Sequence, residues 1–164
     1  MLIDEFLNGY YGKAAAPYIR QYLDFMAKEA QGVNLICYTG TDSPLFRYDV
    51  MKKAATLWNQ AFDVASKESP ELGWRVLQGE LPVQYVWLVR WNEFKSAAAK
   101  ANDEWPYDPD RAQAAARWLQ IATTGGSQQL QFPGFSVTVP AQWSAITAIS
   151  EGGTTPQAFV ASLK

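Results

Sequence analysis

Between Arg47 and Lys67 the chain repeats apolar residues with a helical period. Val50, Met51, Ala54, Leu57, Trp58, Ala61, Phe62 and Ala65 hold the i, i+3, i+4, i+7 pattern over five turns, while Lys52, Lys53, Gln60 and Lys67 sit mostly off it. This is an amphipathic helix that must pack on a neighbour rather than stand alone. Any fold for the chain has to be built around it, and the flanking segments follow the same period.

Residues 2 to 11 read as a short helix, with Ile3, Phe6, Leu7 and Tyr10 on one stripe, and Gly12 suits its C-terminal cap. A second helix resumes at Ala14 and ends near Gly32, with Pro17 in its first turn and Tyr18, Tyr22, Phe25 and Met26 at helical spacing. Val33 to Tyr38 fits either a short strand or a continuing helix. Ser69-Pro70-Glu71 opens a fourth helical region, with serine as N-cap and proline at the first helical position. Its stripe runs through Leu72, Val76, Leu77, Val83, Val86, Trp87, Arg90 and Phe94 toward Lys100. Pro82 lies in its interior and predicts a kink or break between Gly79 and Pro82.

Residues 102 to 110 form a loop, and the next helix, starting at Asp108 or Pro109, carries Ala112, Ala115, Ala116, Trp118, Leu119 and Ala122 before Gly125-Gly126 stops it. Gln129 to Val139 then alternates, broken by Pro133-Gly134, as a β-hairpin or two short extended pieces. Residues 140 to 149 suit a short helix or a return strand, and a last helical turn runs from Thr155-Pro156 through Leu163. The expected fold is mainly α: one domain over residues 1–164, a bundle of four to six helices around Trp58, Trp87 and Trp118, with a small β element near the C-terminus.

Composition narrows the chemistry. The chain has no histidine, which removes Ser-His-Asp and Cys-His nucleophile systems, His-ligated zinc and imidazole bases. Catalysis here would need carboxylates, tyrosine or lysine, and no metal or cofactor is implied. Net charge is −2 with no basic block, which speaks against nucleic acid as a partner. Cys37 is the single cysteine, so no internal disulfide forms, and its apolar neighbours suit a buried small hydrophobe. No apolar run is long enough to span a membrane. Charged residues make up only 18%, below the usual quarter, which points to surface that another domain covers. Seven Trp, eight Tyr and eight Phe supply anchors for a core, a domain interface or sugar stacking.

Asp4 and Glu5 point about 100° apart on their helix, and Asp42, Asp49, Glu104 and Glu151 lie in or next to loops. They read as solvated or capping acids, with no catalytic pair of the kind glycoside hydrolysis uses. Glu151 stands out because Gly152-Gly153 allows close approach of a partner chain or ligand, although a plain turn explains it equally. Tyr10, Tyr11, Trp105 and Tyr107 are candidates for sugar stacking or for docking onto another domain.

The stretch from Asp4 to Leu23, with Arg75-Val76, Leu81-Pro82-Val83-Gln84-Tyr85 and Ile149-Ser150-Glu151-Gly152-Gly153, resembles the C-terminal region of the domain-of-unknown-function 4838 family of large bacterial proteins. Members look like polysaccharide-processing enzymes, similar in arrangement to α-glucuronidases, with a (β/α)8 barrel followed by a largely helical domain. The resemblance implies that this chain is the C-terminal part of a longer, glycoside-hydrolase-like protein, either secreted or periplasmic. It implies no catalytic residue here. The partners it implies are the upstream barrel, carbohydrate and a second copy of the chain. A free-standing carbohydrate-binding module and a small carboxylate-dependent enzyme are the alternative readings.

Overall fold

The stripe around Trp58 becomes the central helix α3, Tyr48–Glu68, in a computed structural model that describes residues 2–36, 39–124, 129–132 and 135–138. The protein is mainly helical, and the chain divides into two units, Met1–Pro106 and Tyr107–Lys164. The first unit holds α1 (Leu2–Tyr11), α2 (Ala16–Glu29), a 3-10 turn at Pro44–Phe46, α3, α4 (Pro70–Val89) and α5 (Trp91–Ala101). The second holds α6 (Arg111–Thr124) and two strands, β1 (Gln129–Phe132) and β2 (Phe135–Thr138), paired antiparallel with Gln129 opposite Thr138 and Phe132 opposite Phe135. Cys37, Tyr38 and residues 139–164, Glu151 among them, lie outside the described residues.

A single extended residue, Ser69, joins α3 to α4, and its hydroxyl accepts from the Glu71 N–H at 3.2 Å. Pro70 occupies the first turn, where its missing N–H costs nothing. The two helices pack along each other through small residues: Ala54, Ala61 and Ala65 are fully buried, and a Cβ at Gly73 would lie 3.1 Å from Ser66 Cα. On α4 the buried row includes Val76, Leu81, Val83, Val86 and Trp87. Of the five tryptophans on helical stripes, Trp58, Trp87, Trp91 and Trp118 are buried and Trp74 is half-buried; Trp118 belongs to the second unit.

The expected break before Pro82 does not occur. Helix α4 continues through Pro82 to Val89, and the chain leaves helical geometry at Arg90 (φ −93°, ψ 24°) before α5 begins. Pro82 is exposed, so water can replace the hydrogen bond its ring removes. On α2 the buried residues are Ala16 and Ile19, while Tyr18, Tyr22, Phe25 and Met26 are only half-buried.

Gly12 turns the chain between α1 and α2 at φ +87°, a region that side chains with a Cβ rarely occupy. An added Cβ would also stand 2.8 Å from Leu72 Cδ1. We expect Gly12→Ala to destabilise the protein by about 1–3 kcal/mol, from the positive φ and the overpacking together, measured as a lower urea midpoint at unchanged slope.

Candidate functional site

Helix α1 carries the expected apolar stripe, but little of it is covered. Leu7 alone is buried, whereas Leu2, Ile3, Phe6 and Tyr10 are 81%, 53%, 58% and 37% exposed. Leu23 on α2 adds a fifth open side chain at 41%. The Phe6 and Tyr10 rings stack at 5.3 Å and 12° to form a ridge, and Tyr11 meets Tyr10 edge to face at 4.8 Å. Arg75 ties this ridge to α4. Its Nη1 donates to the Tyr10 carbonyl at 3.0 Å, its guanidinium lies 5.0 Å from the Tyr10 ring centroid, and it pairs with Glu71.

Beside the ridge lies a groove of about 520 Å³. Leu2, Ile3, Phe6, Leu7 and Tyr11 line it from α1, and Ile19 and Leu23 from α2. Trp58 and Gly79 complete it from α3 and α4, so no charged side chain lines it. Trp58 and Tyr11 pack directly onto Gly79: a Cβ there would fall 2.7 Å from both Trp58 Cη2 and the Tyr11 hydroxyl. Tyr11 and Tyr22 both pack edge to face on Trp58, at 6.0 Å and 5.2 Å. Burial raises the Tyr22 hydroxyl, and the nearby Trp58 indole N–H opposes that rise, yet Trp58 Nε1 has no acceptor within hydrogen-bond geometry.

The other residues singled out by sequence are placed differently. Trp105 is half-buried and packs edge to face on Trp87 and Trp91, each at 4.9 Å, with Lys95 Nζ 5.8 Å from its centroid. Its ring is thereby taken up by the aromatic cluster of the first unit, whereas Tyr107 lies in the second unit and is half-buried. Asp4 pairs with Arg20 at 3.1 Å, and Asp49 with Arg47 at 2.9 Å. The structure brings Tyr10 and Tyr11 together and does not join them to Trp105.

One acid went unnoticed in the sequence. Glu80 is 1% exposed and accepts from Gln84 Nε2 at 3.0 Å. Its position could have been read, because 76, 80, 83 and 87 keep the helical period of the buried row.

Two tyrosines are held neutral to high pH. Burial, aided by the neighbouring Tyr10 and Tyr22, pushes Tyr11 up to about 12; burial, aided by Asp103, does the same for Tyr48. Tyr48 Oη donates to Asp103 Oδ2 at 3.0 Å, and Lys52 pairs with the same carboxylate. Both folded-state values lie above the usual value near 10, so the stability they contribute is complete below pH 10 and is lost as pH climbs toward 12. We expect the urea midpoint to fall across pH 10–12, and the fall to shrink in Tyr11→Phe and in Tyr48→Phe.

No family model matches the chain, and no curated protein or solved structure matches it. Among the described residues, no helix is long and apolar enough to cross a membrane.

Proposed function

We propose that this chain is a non-catalytic helical domain that docks through the α1–α2 face onto a larger neighbour, a glycoside-hydrolase-like barrel of the same parent protein. The domain so proposed includes a small β element near its C-terminus, and its role is to support polysaccharide processing by the barrel. The observation that carries the reading is the uncovered row Leu2, Ile3, Phe6, Tyr10 and Leu23 along the α1–α2 pair. Covering these five side chains is worth roughly 4–8 kcal/mol before the cost of association. Free association costs a comparable amount, on the order of 4–15 kcal/mol. A covalent link to the partner lowers that cost, which favours a neighbour in the same polypeptide.

The ridge geometry favours docking over sugar stacking. Phe6 and Tyr10 face each other at 12°, so they do not offer two ring faces side by side along a glycan. Amide hydrogen exchange in α1 tests the reading, comparing this chain with the protein expressed from the same reading frame extended upstream. Docking predicts slower exchange in the longer protein, together with no turnover of aryl glycosides by this chain alone. Unchanged exchange in α1, or glycosidase activity from these 164 residues, would contradict it.

A further inference from the structure

The α1–α2 face is bordered by ion pairs in which the carboxylate is the outer member. Where α1 meets α4, the Glu71 side chain is 70% exposed, and that of its partner Arg75, which lies against the Tyr10 ring, is 30% exposed. Where α1 meets α2, Arg20 holds both Asp4 and Asp24; these acids are 51% and 63% exposed and the arginine 38%. The order is not general for this chain, since Glu29 and Asp103 are more covered than their partners Arg47 and Lys52. Glu5, beside Phe6 on α1, is exposed and makes no ion pair among the described residues. The two lysines of the helix pair, Lys13 and Lys28, lie at its ends, one in the turn after Gly12 and one in the last turn of α2. Any partner therefore meets the apolar row across a negative border. Each bridge adds little to the stability of the domain, but the exposed carboxylates set the sign of the potential around the row.

We infer that the surface received by this face is a protein surface that surrounds an apolar hollow with Lys or Arg side chains. The inference rests on the docking reading and names the chemistry of the neighbour it requires. A second copy of the chain does not fit. A two-fold contact sets a patch against itself, so Glu5, Asp24 and Glu71 would face carboxylates of the same border. Like charges opposed across an interface select against that pairing. An anionic bilayer surface is repelled for the same reason. A neighbour with a basic rim instead turns these carboxylates into guides for register, because each has exposed oxygen surface left after its bond to Arg20 or Arg75. The apolar row supplies the attraction, and the border selects the surface that receives it.

The test reads amide exchange in α1 in the longer protein, relative to the 164-residue chain, at low and at high sodium chloride. Between about 50 mM and about 500 mM the Debye length shortens from roughly 14 Å to roughly 4 Å. We expect the protection conferred by the neighbour to fall about threefold at the higher salt. Asp24→Lys combined with Glu71→Lys should lower it about tenfold at the lower salt. The same two substitutions in the short chain correct for any change within the domain itself. The short chain should sediment as a monomer at both salt concentrations. Protection that is present but unmoved by salt and by the two lysines overturns this inference and leaves the docking reading standing. Protection absent at every salt concentration overturns the docking reading, and this inference with it. A dimer of the short chain that Phe6→Glu abolishes would make a second copy the occupant and overturn the inference, as would co-sedimentation with phosphatidylserine vesicles.

Discussion

Trp87→Ala is expected to remove about 4–5 kcal/mol of stability, at the upper end for truncating a core aromatic. The ring is 1% exposed and sits among three other aromatics: Phe94 at 4.8 Å, Trp105 at 4.9 Å and Tyr48 at 5.9 Å, all edge to face. Each such pair adds roughly 0.5–1.5 kcal/mol beyond the area it buries. The indole Nε1 also donates to the Met51 carbonyl at 3.3 Å, which links α4 to α3. Small domains carry about 5–15 kcal/mol in total, so this one change should leave the protein near its unfolding threshold at 37 °C. Urea denaturation read by far-ultraviolet circular dichroism measures the loss. Trp74→Ala is the control: the ring is only half-buried, and its truncation should cost less than half as much. Equal losses at the two positions would mean that the aromatic cluster is not the centre of the core.

Arg90→Met should cost about 2–4 kcal/mol, because it leaves two carbonyls without their charged donor. Arg90 Nη1 donates to the Phe46 carbonyl at 2.6 Å and to the Thr41 carbonyl at 3.2 Å. The same guanidinium lies 5.0 Å from the Phe94 centroid and pairs with Glu93. Glu93 is largely exposed, so that pair contributes little, and the backbone bonds carry the effect. The side chain therefore latches the segment around the 3-10 turn to the junction of α4 and α5. Faster amide exchange at Ser43 and Phe46 in the variant would report the latch opening, since both amides donate within this segment. Arg90→Lys should fail to restore it: one ammonium cannot span two carbonyls and a carboxylate in the way the planar fork does. A wild-type exchange pattern in Arg90→Met would refute the latch.

The helices themselves were legible because their cues are local. Ser69 caps α4 where a serine before Pro-Glu should, Gly12 takes the positive φ that ends α1, and the period around Trp58 marks the buried side of α3 correctly. Pro82 misled for the opposite reason. A proline's local cost is fixed, but whether it breaks a helix depends on what surrounds it, and here the surroundings are solvent on that side and a packed α3 on the other. Arg90 ends α4 instead, and the two carbonyls its side chain holds lie more than forty residues earlier in the chain.

The candidate site divides in the same way. Period alone placed Ile3, Phe6, Leu7 and Tyr10 on one side of α1, and that assignment stands. Period cannot say what covers a face, so only the packed structure revealed that Leu7 is buried while the other three remain open. It was also packing that drew Trp105 into a cluster with Trp87 and Trp91, buried Glu80, and set Trp58 and Tyr11 against Gly79. Each of these depends on side chains distant in sequence meeting at one point. Hydrogen bonds and torsions along the backbone are short-ranged and can be read residue by residue; burial is a property of the whole assembly of helices, and emerges only when they are brought together.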